Sequence, residues 1–146
     1  MTKQYTMTEL LQMVQEEAQR QSIDRITSAS DVYSLLAEYA TKEQEHFLLL
    51  TLDGASHIIE KRVIHIGTLN QSLVHPREIF RPAIIDNSAG IIVAHNHPSG
   101  TLDASRSDIQ VTTRLKEVAK LVGIELLDHV IISKNGYYSF SDEGLL

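Results

Sequence analysis

Five apolar residues and the histidines just beyond them limit the fold of this chain more than any other stretch. Residues 90–94, Gly-Ile-Ile-Val-Ala, lie between turn-forming Ser88-Ala89 and Pro98-Ser99-Gly100. A short uninterrupted apolar run bounded in this way reads as a buried strand. It runs directly into His95-Asn96-His97-Pro98. Side chains at i and i+2 of an extended segment point the same way, so the strand end aims both imidazoles at one point while Asn96 points away.

The chain then has to come back. Pro98 removes a backbone donor and ends the ladder, Ser99-Gly100 supplies a turn, and Ser105 opens a helix expected to run to Leu121. That return places Asp108, in the first helical turn, near the same point. Two imidazoles and a carboxylate, with a fourth position left for water, form the ligand set of a catalytic zinc site. Each part also has a plainer reading. Ser105-x-x-Asp108 is a capping-box variant that suits the helix dipole, and two histidines at a strand end need bind nothing. The combination on one strand-turn-helix favours one metal ion held by His95, His97 and Asp108.

His-x-His-Pro, six residues, then Ser-x-x-Asp resembles the JAMM signature of MPN (JAB) domain zinc hydrolases. The fuller string His-Asn-His-Pro-Ser-Gly, with Ser-Leu-Val-His75-Pro-Arg-Glu78 upstream and Leu-Leu-Asp128-His129 downstream, is similar to the RadC branch. The likeness runs from about Ile26 to the C-terminus. It implies a layered α/β domain of the MPN/JAB, cytidine-deaminase-like class, with a mixed, mainly antiparallel sheet flanked by helices. It also implies one Zn²⁺ per chain, hydrolysis of peptide or isopeptide bonds, and a glutamate acting as general base in a Glu-His-Phe context, which here is Glu45. Ser105 would donate a hydrogen bond to water or to the developing oxyanion. From the residues alone Glu45 is one of several candidates, with Glu38, Glu43, Glu60 and Glu78, each of which reads by default as a solvated charge.

The remaining chain is consistent with that fold. With 146 residues, 42% hydrophobic and 22% charged, it suits one domain with a real core, residues 23–146, preceded by a helical extension over 1–22. Residues 8–20 carry Leu10, Leu11, Val14 and Ala18 at helical spacing. This is a packing helix or the arm of a homodimer, and packing is the preferred reading. Ser30 is expected to cap a second helix with the stripe Val32, Leu35, Leu36 and Tyr39. Residues 45–52 and 56–66 form a hairpin turning at Asp53-Gly54. Pro76 opens a third helix that Pro82 should kink or shorten. Ser72, His75 and Arg77 are candidates for substrate contact, though structural hydrogen bonding is the better reading of each. Ile109, Thr112, Leu115, Val118, Ala119 and Val122 mark the inward face of the fourth helix, which stops at Gly123. Residues 124–132 and 137–140 form a last hairpin around a type I′ turn at Asn135-Gly136. His129 is read as a core or hydrogen-bonding residue behind the metal rather than a ligand.

Composition excludes more than it assigns. Zero cysteines remove disulfides and thiolate ligands. The net charge is −6 with only 13 Lys and Arg, scattered along the chain, so no basic stripe for nucleic acid is evident. No stretch approaches the roughly 20 apolar residues of a membrane span, and no signal-like segment opens the chain. A cytoplasmic enzyme acting on a peptide or protein is the expectation. The RadC resemblance brings an association with DNA repair. Longer members carry an N-terminal helix-hairpin-helix region, for which this chain is too short, which weakens direct DNA binding. A nuclease is disfavoured because the HNH motif spreads over a ββα unit. A cupin is disfavoured by the long helix after Ser105. The serious alternative is a non-catalytic MPN-type interaction module.

Overall fold

A computed structural model of the chain describes residues 3–67 and 74–146. Its elements run α1 (Met7–Ser22), α2 (Ala29–Leu35), a 3-10 turn (Ala37–Thr41), β1 (His46–Leu52), β2 (Ile58–Ile66), α3 (Pro76–Ile85), β3 (Gly90–Asn96), α4 (Arg106–Val122), β4 (Glu125–Ser133) and β5 (Gly136–Ser139). The five strands form one sheet in the order β2-β1-β3-β4-β5. Three of its pairings are antiparallel; β3 and β4, joined through α4, run parallel. The mixed α/β architecture is the one expected.

The central strands are mostly apolar because both faces of the sheet are covered. Alternation sorts their side chains. Phe47, Leu49, Ile91 and Val93 pack on one face against Ile79, Phe80 and Ala83 of α3 and Val111, Leu115 and Ala119 of α4. Leu48, Leu50, Leu52, Ile92 and Ala94 pack on the other against Ala29 and Val32 of α2 and against Leu36. Each such leucine or isoleucine, removed from water, favours folding by about 1.5–3 kcal/mol. The odd-numbered residues of β3 therefore face α4, and the even-numbered ones face α2. A register shift opposite Ile91/Ile92 resets the alternation in β4, so Leu126 and His129 share the α4 side while Val130 and Ile132 pack toward α2.

Several local expectations change. α1 is helical, but Leu10, Leu11, Met13 and Val14 stay exposed, so among the described residues the packing expected of that face is not made. Ser30 does not cap α2. The helix starts two residues earlier, after Ser28, whose side chain makes no capping bond; the Asp31 carboxylate instead accepts from the Thr27 amide and hydroxyl. The apolar stripe beyond Leu36 shifts because the helix tightens into the 3-10 turn, which buries Ala40 and leaves Leu35 and Tyr39 only partly covered. The first hairpin has a longer connection than two residues. Asp53 accepts from the amides of Ala55 and His57, and Ser56 takes a positive φ of 66°. α3 passes through Pro82 and ends three residues later, the Asp86 amide donating back to the Pro82 carbonyl.

The inward face of α4 is Asp108, Val111, Thr112, Leu115 and Ala119, whereas Ile109 and Val122 are exposed. Thr112, Leu115 and Ala119 of the expected stripe are buried as read and Val118 packs against the core, while Asp108 and Val111 hold inward positions that the stripe left out. In the last hairpin Ser133 pairs with Gly136, so the turn residues are Lys134 and Asn135. Neither has a positive φ; Gly136 carries it instead, at 131°. The expected type I′ turn at Asn135-Gly136 is thus not formed, since that turn needs φ > 0 at both central residues. Among the described residues no helix is long and apolar enough to cross a membrane.

Candidate metal centre

His95 is the last odd-numbered residue of β3 and points to the α4 side; His97 comes just past the strand end. Gly100, at φ 86°, reverses the chain, and its carbonyl accepts from Ser133 Oγ and Asn135 Nδ2. That anchors the loop between His97 and α4 on the last hairpin. Helix α4 then begins with a full capping box. Ser105 Oγ accepts from the Asp108 amide at 3.0 Å, and the Asp108 carboxylate accepts from the Ser105 amide at 2.8 Å. Capping and ligation are therefore not alternatives. The box fixes the carboxylate, leaving its oxygens facing the two imidazoles.

The donor atoms converge closely. His95 Nε2 lies 3.0 Å from Asp108 Oδ1, His97 Nε2 lies 3.2 Å from Asp108 Oδ2, and the two Nε2 atoms are 3.0 Å apart. Tetrahedral ligands held at about 2.0–2.2 Å from zinc stand roughly 3.3–3.5 Å from one another. The group is within a few tenths of an ångström of that spacing, and His95, His97 and Asp108 together could hold a metal ion. The far side of each ring is also suitably engaged. His97 Nδ1 meets the Thr101 carbonyl at 2.8 Å, an acceptor, which leaves the lone pair on Nε2. His95 Nδ1 meets His129 Nε2 at 2.8 Å.

Electrostatics agree with the geometry. Burial on its own would raise the Asp108 carboxyl, but hydrogen bonds from His95 and His97 and the charge of His95 outweigh it and hold the group far below the usual carboxylate range. Burial pulls His97 down, while Asp108, the Thr101 carbonyl and Glu45 pull it up, and the net shift is upward. His129, fully enclosed, is pushed well below the ordinary imidazole value by burial. Burial likewise raises Asp128, although Ser139, Ser141 and the His129 amide hydrogen-bond to it.

Two of the three residues, His97 and Asp108, open onto a cleft of about 690 Å³ lined also by Glu43, Glu45, Gly67, Ser99, Thr101 and Asp103 among others, with His95 buried behind them. Ser105 shares that lining. Of the five glutamates open from sequence, only Glu43 and Glu45 reach it. Glu38 pairs with Lys61 across the sheet edge, Glu78 lies beside Arg77, and Glu60 is exposed on β2. His129 is behind His95, not at the ligand point. His75 and Arg77 do not line the cleft, and Ser72 lies outside the described residues. Among the described residues lining the cleft there is no lysine or arginine.

Asn96 has a role that its neighbours in sequence obscured. It points away from the histidines, onto the α2 side, and is wholly buried. There Oδ1 accepts from the His46 amide at 2.6 Å and Nδ2 donates to the Gln44 carbonyl at 3.0 Å and the Lys42 carbonyl at 3.4 Å. These bonds clamp both sides of Glu45. The signal was present in strand parity, because a buried even-numbered asparagine must find partners on the opposite face.

Residues 26–145 match the family model described as the RadC-like JAB domain. The chain is 50% identical over 123 residues to a protein of Clostridium perfringens and 46% identical over 123 residues to one of Methanosarcina mazei; each match covers 84% of this chain and 54% of the relative. A protein of Rubrobacter xylanophilus is 44% identical over 138 residues, covering 90% and 60%. All three are named UPF0758 protein, a name that states no activity. The chain spans between half and two thirds of the length of these curated relatives.

Proposed function

The chain belongs to the RadC-like JAB domain family, and on that basis we propose that it is a zinc-dependent hydrolase of peptide or isopeptide bonds. The observation that carries the reading is the convergence of His95 Nε2, His97 Nε2 and the Asp108 carboxylate beside a cleft whose lining includes His97, Asp108, Glu45 and Ser105. His95, His97 and Asp108 would hold the ion. Zinc bound there supplies Lewis acidity, polarising a carbonyl and lowering the pKa of water toward about 7.

The rest falls to the chain's own groups. Glu45 takes a proton from the attacking water and returns it to the departing amine, so one carboxylate serves as base and then acid. Its backbone is held by the Asn96 clamp, which limits how far the carboxylate can drift from the scissile bond. Ser105 Oγ accepts from the Asp108 amide, so its own proton is free to be donated into the cleft. One such donor aimed at a developing oxyanion is worth about 2.7–4 kcal/mol. The acidic lining favours neutral or cationic substrates over phosphate backbones, which supports a peptide over a nucleic acid.

The test is hydrolysis of a panel of peptide and isopeptide substrates by the zinc-loaded protein beside Glu45→Gln. Turnover that Glu45→Gln abolishes, with zinc still bound, is the expected result. Binding of a panel member without cleavage by the parent protein would assign the domain to the interaction modules instead.

A further inference from the structure

A histidine that ligates through Nε2 must carry its proton on Nδ1. In many metal sites a carboxylate or carbonyl accepts that proton and so fixes the tautomer. His97 adopts this pattern with the Thr101 carbonyl. His95 does not. Its Nδ1 faces another imidazole, His129 Nε2, which can either donate or accept. Something further back must decide.

The structure supplies it. His129 is wholly buried, stacked on Phe140 at 4.7 Å between ring centroids and set edge-on to Phe47 at 5.9 Å. Its other nitrogen, Nδ1, contacts Thr112 Oγ1, and that hydroxyl lies 2.8 Å from the Asp108 carbonyl. A carbonyl can only accept, so the single hydroxyl proton goes to Asp108. The Thr112 oxygen is then left to accept from His129 Nδ1, which puts a lone pair on His129 Nε2. That lone pair accepts the proton of His95 Nδ1, and the lone pair of His95 Nε2 faces the other two ligands. With the hydroxyl turned the other way, every proton in the series moves over and His95 points an N–H into the centre, where it cannot ligate. The series begins at one ligand, His95, and ends on the backbone of another, Asp108, crossing β3, β4 and α4.

We propose that Thr112 and His129 are positioning residues that set the tautomer of His95 and thereby the metal affinity of the site. This rests on the metal-site reading above, and the two can be told apart by experiment. Zinc affinity is measured by competition with a chromophoric chelator for the parent protein, Thr112→Val and Thr112→Ser, with circular dichroism as the check on folding. Valine matches threonine in shape but cannot accept, and serine keeps the hydroxyl. Thr112→Val should bind zinc about 10–100-fold more weakly, and Thr112→Ser should stay close to the parent. Equal affinity in all three, or Ser as weak as Val, would overturn the proposal while leaving the metal site standing. A parent protein that takes up no zinc overturns both. Independently of any variant, two-bond ¹H–¹⁵N correlation spectra of the zinc-loaded parent protein should show the His129 proton on Nδ1. A proton on Nε2 contradicts the series directly.

Discussion

Replacing Asn96 with alanine should loosen the segment that carries Glu45 without dismantling the ligand set. The His46 amide loses its acceptor, 2.6 Å away. A part-buried N–H left unpaired costs about 1–3 kcal/mol. Of the two bonds donated by Nδ2, the one to Gln44 at 3.0 Å is well formed and the one to Lys42 at 3.4 Å is marginal. Both carbonyls belong to exposed residues and can turn to water, so together these bonds add about 0.5–1.5 kcal/mol. The sum is about 1.5–4.5 kcal/mol, or a fall in melting temperature of roughly 5–15 °C for a chain of this size. Urea unfolding followed by circular dichroism measures the loss, and hydrogen exchange at the His46 amide localises it. Asn96 touches none of the three ligand atoms, so zinc uptake should persist while Glu45-dependent turnover falls. A loss under about 0.5 kcal/mol with the His46 amide still protected would refute the clamp. Loss of zinc to the extent seen on removing a ligand would refute the separation of clamp from centre.

Other substitutions divide stability from chemistry. Ser105→Ala removes the N-cap of α4 and should cost about 1 kcal/mol in chemical unfolding. Ser105→Gly, a cap substitution that costs only about a few tenths of a kcal/mol, should keep most of that stability yet leave hydrolysis about 10²–10³-fold slower if the hydroxyl serves the oxyanion. Asp86 accepts from Arg62 and from Thr51, and the Arg62 hydrogen bond, opposed by burial, holds its carboxyl below the usual value. A depressed carboxyl stabilises the fold above its unfolded pKa, near 3.9, and loses that effect as pH falls through the lower folded value. Asp86→Asn should therefore melt lower than the parent protein at pH 7, with the gap closing below about pH 4. A gap that stays constant down to pH 2.5 would contradict the pairing.

The parts of this molecule that were legible in its sequence are those where one local rule dominates. Residues 90–94 had to be a buried strand, and parity then set His95 and His97 on one side. The Ser105-x-x-Asp108 spacing announced the helix start that the structure forms. Elements failed to read where a polar residue took an inward position. Asp108 leads the buried stripe of α4, so a hydrophobic count chose Ile109 and Val122, both exposed. Turns failed where side chains or register replaced the local preference: the Asp53 carboxylate lengthened the first hairpin, and pairing of Ser133 with Gly136 moved the second turn off Asn135-Gly136. The supporting bonds of the site were hidden for a different reason. Asn96 reaches back some 50 residues to His46, and Thr112 reaches forward to His129 across a register shift in β4. No periodicity encodes such meetings.

The proposed chemistry stands or falls on His95, His97 and Asp108 holding one zinc ion. Elemental analysis of purified protein, beside Asp108→Ala, decides it. One zinc per chain in the parent protein, and far less in the variant after dialysis, is the result expected. No metal in either, even after zinc is added back and excess removed, would contradict it and leave a capped helix beside two idle histidines.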